Sequence, residues 1–109
     1  MNANVLAWGL LVLSVLCELA GNIALRYSNG FSKPIPTILT YVSYAFAIWF
    51  MALTVKRLEL GPIYAIWAGS SVAITAIIGV IAFSEVVSLP KIIGILLITA
   101  GVFALNLEQ

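Results

Sequence analysis

Four long apolar runs divide this chain, at about residues 4–25, 35–55, 60–83 and 89–107. Each run is close to or above the roughly 20 helical residues that cross a hydrocarbon core about 30 Å thick. Because the backbone has to satisfy its own hydrogen bonds in hydrocarbon, an isolated apolar run adopts a helix there. A transmembrane β-barrel would need shorter segments of alternating polarity, which these runs lack. The sequence therefore predicts an all-α membrane protein with four transmembrane helices in a single domain, 1–109.

Composition excludes most other classes of protein. Apolar residues make up 63% of the 109 residues and charged residues 8%, against roughly 45–50% and about 25% in soluble domains. A net charge of +1 argues against nucleic-acid binding. Histidine is absent and Cys17 is the single cysteine, so we expect no disulfide framework, no metal and no cofactor. Without a nucleophile–base pair, we also expect no enzyme activity.

Helix-breaking residues lie between the runs. The segment 28–30, Ser-Asn-Gly, can supply a left-handed residue that ends the first helix. Pro34 suits the first turn of the second helix, and 56–59 is a short polar turn before the third. In 88–90, a serine cap precedes a first-turn proline. These signals predict three short connections.

The positive charges in the loops give almost no orientation signal. Arg26, Lys33 and Lys91 lie on one side of the predicted bundle, and Lys56 and Arg57 lie on the other together with the terminal amine. Short-loop cations set topology, and here the count is three against two. Either this small bias orients every copy alike, or the chain inserts both ways so that inverted copies pair, as inverted repeats do in larger transporters. We favour the second, and four helices are too few to enclose a solute path alone.

Helix four carries a stripe of small residues. Gly94 and Gly101 lie two turns apart on one face, with Ile98 between them. Small residues let helix backbones approach closely in lipid, so this spacing predicts a dimer contact. The alternative is that these glycines only reflect the frequency of glycine in membrane helices.

Glu18 is the one ionisable residue well inside an apolar run. The other acids, Glu59, Glu85 and Glu108, lie in loops or at the terminus, and every cation lies at a helix end or in a loop. An ionised carboxylate at membrane depth costs at least about 2.5–3.5 kcal/mol, so such a residue indicates function. A carboxyl group that holds either a proton or an organic cation is the basis of proton-coupled antiport. The alternative is a permanently protonated Glu18 hydrogen-bonded to a neighbouring helix.

Helical spacing defines the face on which Glu18 lies. Residues three, four or seven positions away include Leu11, Ser14, Gly21 and Asn22. This face is smaller and more polar than the rest of the helix. We expect it to border a cavity that is wet enough for a proton or a solute.

Aromatic residues indicate the kind of solute. Tyr64 and Trp67 are three residues apart on helix three, and Tyr41, Tyr44 and Trp49 lie within helix two. Aromatic faces attract cations, and quaternary ammonium groups are a common ligand. Packing or anchoring at the membrane interface is the alternative, and we favour cation binding for Tyr64 and Trp67.

Together these residues resemble the small multidrug resistance family of bacterial cation exporters. The resemblance rests on Glu18, on Leu-Arg-Tyr-Ser-Asn-Gly-Phe at 25–31 and on Gly-Pro-Ile-Tyr-Ala-Ile-Trp at 61–67, and extends over essentially the whole chain. It implies a multi-pass protein of the bacterial inner membrane that forms an antiparallel, dual-topology homodimer. In such a dimer both membrane glutamates face one cavity, and Glu18 binds proton and substrate in turn.

The resemblance also implies roles for individual residues. Beside Glu18, the positions that match the family's substrate site are Tyr64, Trp67, Tyr44, Ser14, Asn22 and Gly21. Gly94 and Gly101 match the helix through which the family dimerises.

A few positions at which this chain differs from subgroups of the family indicate its substrate class. Guanidinium exporters resemble this chain around 27–31 but usually carry tryptophan at the position of Gly21 and serine at that of Ala47. The smaller residues here leave space for a larger, more lipophilic cation. Asn22 occurs in related polyamine exporters, which work as pairs of different chains.

The favoured interpretation is therefore a proton-coupled antiporter of lipophilic or quaternary ammonium cations. A guanidinium, polyamine or osmolyte exporter of the same family is the alternative, and a heterodimer stays open beside the homodimer. An alternative of another class is a non-transporting membrane subunit that serves a partner.

Overall fold

The computed structural model describes residues 3–107, and no strand occurs among them. The helices are α1 (Ala3–Tyr27), α2 (Pro34–Thr54), α3 (Leu60–Ala82) and α4 (Leu89–Asn106). Each begins and ends within two residues of the apolar run that predicted it. All four are long and apolar enough to cross a membrane, which confirms the prediction of a four-span membrane protein. Glu108 lies outside the described residues.

The helices form two compact units, one up to Glu59 and one from Leu60 onward. In the first unit α1 packs along α2, and in the second α3 packs along α4. Each unit is a hairpin of two helices joined by a short connection, and each is described by itself below. That the whole chain is a single domain stays a prediction.

Ser28 organises the connection between α1 and α2. Its hydroxyl donates to the Leu25 carbonyl at 2.7 Å and accepts the N–H of Phe31 at 3.1 Å. Residues 29–31 all have positive φ, between 49° and 69°, a conformation that non-glycine residues rarely adopt. Stacking of the Phe31 ring on Tyr41, with ring centroids 5.4 Å apart, accompanies this backbone. The breaker that the sequence predicts at 28–30 is therefore a hydrogen-bonded turn.

In the second hairpin, α4 approaches α3 at Gly69. A Cβ on Gly69 would lie 2.6 Å from Val102 Cγ2 and 3.2 Å from Ile98 Cγ2, so glycine is what permits this contact. No side chain of α4 is buried. A Cβ at Gly94 or Gly101 would meet nothing within 4 Å among the described residues. Gly94 and Gly101 are therefore uncovered by the described residues, and their contact with a partner stays a prediction.

The end of α3 provides a test of backbone strain. Ser84 has φ 55°, and the N–H of Glu85 donates to the Gly79 carbonyl at 3.0 Å. A left-handed conformation costs a non-glycine residue roughly 1–2 kcal/mol, and glycine costs roughly 0.5–1 kcal/mol in unfolded-state entropy. We therefore expect Ser84→Gly to raise the free energy of unfolding by about 0.5–1 kcal/mol.

The measurement is denaturant unfolding in detergent, followed by circular dichroism. Ser70→Gly is the matched control, because Ser70 lies within α3 and the same change there should lower stability by about 0.5–1 kcal/mol. Equal effects of the two substitutions would contradict a strained Ser84.

Candidate site for a proton and a cation

Glu18 lies deep within the span of α1. It is nine residues before Tyr27, the last residue of the helix, which corresponds to about 14 Å along the axis. That depth is close to half of a hydrocarbon core about 30 Å thick. Glu18 is half-buried and interacts electrostatically with Tyr44 on α2. An ionised carboxylate is costly at this depth in a membrane, which indicates a functional role for Glu18.

Tyr44 crosses from α2 to α1 beside Glu18. Its hydroxyl donates to Asn22 Oδ1 at 2.5 Å. Its ring lies directly over Gly21, where a Cβ would overlap the Cδ1 and Cε1 atoms of the ring. Asn22 is one helical turn after Glu18, on the same face of α1. Gly21 thus admits the ring and Asn22 accepts the hydrogen bond of the hydroxyl, so both residues fix Tyr44 against the face of α1 that carries Glu18.

This packing corrects one expectation from the sequence. The small residue Gly21 was expected to leave space for a large cation, but in this structure the Tyr44 ring fills that space. Glycine at this position therefore serves the packing of α1 against α2. Direct contact of either residue with a substrate stays a prediction.

Ser14 joins the same two helices one turn before Glu18. It is completely buried, and its hydroxyl donates to the Ala47 carbonyl at 2.6 Å. Leu11 and Ala47 are buried too. In this structure Ser14 fastens α1 to α2, and its predicted role as a cavity-lining residue stays a prediction. Nothing in the sequence indicates this use of the Ala47 carbonyl.

Tyr64 and Trp67 form a pair near the start of α3. Their ring centroids are 5.2 Å apart and the ring planes meet at 72°, an edge-to-face arrangement. Tyr64 is exposed and Trp67 half-buried. Trp67 Nε1 is buried and meets no acceptor within residues 3–107. Because buried indole N–H groups usually have a partner, this donor is suited to an acceptor from outside the described chain.

The structure thus brings part of the predicted site together within each hairpin. The first hairpin collects Glu18, Gly21, Asn22, Tyr44 and Ser14, and the second pairs Tyr64 with Trp67. The described residues hold no group of three or more His, Cys, Asp or Glu side chains with the spacing of a metal site.

Removal of the Tyr44 hydroxyl tests its bond to Asn22. We expect Tyr44→Phe to lower the free energy of unfolding by about 0.6 kcal/mol, the mean measured for side-chain hydrogen bonds between membrane helices, and by no more than about 1.7 kcal/mol. Tyr41→Phe is the control, because Tyr41 is an exposed tyrosine of the same helix. Unfolding in detergent would compare the two variants. If Tyr44→Phe is as harmless as Tyr41→Phe, the hydrogen bond contributes nothing.

Comparison with known proteins identifies the family. The model described as Small Multidrug Resistance protein matches residues 6–98, a segment that contains every predicted site residue except Gly101. The chain is 42% identical over 96 residues to the quaternary ammonium compound-resistance protein QacH of Staphylococcus saprophyticus, covering 88% of this chain and 90% of that one.

Two further relatives are similar over most of their length. The guanidinium exporter of Yersinia pestis is 39% identical over 104 residues, which is 95% of this chain and 100% of that protein. The multidrug resistance protein EbrB of Bacillus licheniformis is 40% identical over 99 residues, 91% of this chain and 83% of that protein. With four membrane-spanning helices and a family match over nearly its whole length, the chain belongs to the Small Multidrug Resistance family of transporters of the bacterial inner membrane.

Proposed function

We propose that this protein is a proton-coupled antiporter that exports lipophilic or quaternary ammonium cations from the bacterial cytoplasm. The observation that carries the proposal is a half-buried carboxyl group, Glu18, at mid-depth in a membrane-spanning helix. Such a group is costly to maintain as a bare charge. It binds either a proton or an organic cation, so the arrival of one releases the other. No covalent chemistry is part of this cycle.

The aromatic pair on α3 favours a substrate cation that lacks N–H groups. The Tyr64 and Trp67 rings meet edge to face, which leaves a ring face for a cation to approach. Cation–π attraction contributes about 0.5–2 kcal/mol and requires no hydrogen-bond donor on the ligand. The name of the relative QacH, a quaternary ammonium compound-resistance protein, agrees with this substrate class.

We further propose that the working unit is an antiparallel homodimer. The nearly even distribution of loop cations permits both orientations, and no described residue packs on Gly94 or Gly101 of α4. In a pair of inverted copies, the inward-open and outward-open states are equivalent by exchange of the two chains. A reporter fused to the C-terminus should be detected on both sides of the membrane, and detection on one side alone would contradict dual topology.

A second candidate is export of guanidinium. The Tyr44 hydroxyl interacts electrostatically with Glu18 and is hydrogen-bonded to Asn22, which lies one turn after Glu18 on α1. Oxygen acceptors of this kind suit a planar cation with several N–H donors. The Yersinia relative is named a guanidinium exporter. Because its recognition depends on N–H donors rather than on ring faces, this candidate makes a different prediction about substrates.

Transport by the purified protein separates the candidates. The protein is reconstituted into vesicles, and currents driven by tetraphenylphosphonium and by guanidinium are recorded against a proton gradient. We expect tetraphenylphosphonium to drive the larger current, with protein-free vesicles as the blank. A current with guanidinium alone would support the second candidate. No current with any cation, together with a fixed partner that co-purifies, would replace both with the non-transporting subunit.

A further inference from the structure

A surface groove runs between α1 and α2 near their connecting turn, and none of its lining residues belongs to the candidate site. Its volume is about 480 Å³, within the range of small-ligand sites. On α1 it is lined by Ala20, Ile23, Ala24 and Tyr27. On α2 it is lined by Pro36, Leu39 and Ser43. The small side chains among them leave the space, and the lining is almost entirely apolar.

The groove lies in the membrane-spanning part of both helices. It extends along α1 from Ala20 to Tyr27, about 10 Å at 1.5 Å per residue. Both helices are long and apolar enough to cross a membrane, so the groove lies at the depth of the hydrocarbon core. Tyr27 is exposed in the last turn of α1, where an amphipathic ring suits the level of the lipid headgroups.

Two cations flank the end of the groove at the connecting turn. Arg26 is three residues after Ile23 on α1 and so shares a helix face with that groove residue. Lys33 is the last residue of the connection, directly before α2 and three residues before Pro36 in the sequence. Both cations are exposed. No acidic residue lies between them in the sequence. An apolar groove with two positive charges at its headgroup end is complementary to an anionic lipid.

We propose that this groove holds an acyl chain of an anionic phospholipid, whose phosphate lies between Arg26 and Lys33. The apolar lining accounts for the chain, and the two cations account for the charge of the headgroup. Basic residues at the membrane surface attract anionic lipid, each by about fivefold in affinity. A zwitterionic lipid of the same chain length fits the groove but gains less from the cations. The site belongs to the first hairpin alone and does not depend on which cation the protein exports.

Lipid binding to the full-length protein in detergent tests the charge part of the proposal. Native mass spectrometry would count bound phosphatidylglycerol and phosphatidylcholine with identical acyl chains. We expect tighter binding of phosphatidylglycerol, and a loss of about 25-fold in the double variant Arg26→Gln/Lys33→Gln. The matched control is Lys56→Gln/Arg57→Gln, which removes two cations at the other end of the hairpin. Equal binding of the two lipids by the wild type, or equal losses in the two double variants, would overturn the proposal.

Filling the groove tests the acyl part. We expect Ala20→Leu and Ala24→Leu to lower the binding of both lipids, whereas Ala52→Leu, at an exposed position of α2 outside the groove, leaves it unchanged. If inorganic phosphate displaces phosphatidylglycerol, binding does not require an acyl chain, and this would overturn that part of the proposal. If a groove-filling variant binds lipid fully but no longer dimerises, the groove is occupied by a second copy of the chain and not by lipid. Since both cations are exposed, the charge variants decide the question even if a groove-filling variant fails to fold.

Discussion

Replacement of Glu18 by glutamine is expected to abolish both substrate-driven proton release and cation transport. The amide keeps the size of the side chain but holds no titratable proton and no negative charge. Two unit charges about 4 Å apart interact by about 4 kcal/mol at an effective dielectric constant of about 20. Losing that attraction weakens cation binding by a factor on the order of a thousand. Proton release on addition of tetraphenylphosphonium to the detergent-solubilised protein measures the effect directly.

A second glutamate provides the control for Glu18→Gln. Glu59 is exposed in the turn between α2 and α3, and Glu59→Gln makes the same chemical change outside the membrane spans. We expect it to release protons and transport cations as the wild type does. Proton release that persists in Glu18→Gln would assign the exchange to another group and remove the basis of the antiport mechanism.

The second large effect is expected for Gly21→Ala. A methyl group at this position would overlap the ring of Tyr44, so the ring has to move away from α1 and its hydroxyl away from Asn22. Overpacking of this kind costs about 1–3 kcal/mol, and the lost hydrogen bond adds to it. We expect lower stability of the first hairpin and weaker transport, measured by unfolding in detergent and by vesicle currents.

Gly9→Ala is the matched control for Gly21→Ala on the same helix. A Cβ at Gly9 would meet nothing within 4 Å in the part of the chain that the structure describes, so the change there should raise the free energy of unfolding by about 0.5–1 kcal/mol, the helix-propensity gain of alanine over glycine. Replacing Tyr44 by leucine removes the obstructing ring, and the double variant Gly21→Ala/Tyr44→Leu should show a favourable coupling energy relative to the sum of the single changes. Additive effects would mean that Gly21 and Tyr44 do not contact each other.

The helices could be predicted from the sequence because they depend on local properties of the chain. Length and hydrophobicity of each run are enough to place a membrane span, and the serine, proline and glycine signals set the ends. The cap at Ser88 is an example: the sequence predicts it, and its hydroxyl accepts the N–H of Lys91 at 3.4 Å. The depth of Glu18 follows in the same way, because it depends only on position along one helix.

Contacts between helices could not be predicted from the sequence because they depend on how the helices pack. The sequence placed Gly21 and Tyr44 in one site but could not show that the ring of one fills the space left by the other. The bond from Ser14 to the Ala47 carbonyl is similar, since any residue type offers a carbonyl. The buried N–H of Trp67 depends on the orientation of one ring. Each of these features is decided by rotamers and helix rotation, which periodicity does not specify.

The exposure of α4 has a consequence for how the protein behaves in a cell. Because none of its side chains is buried within the chain, any assembly that covers α4 follows mass action in two dimensions. Diluting the protein with added lipid should then separate the copies, and efflux should rise more steeply than the number of molecules in the membrane.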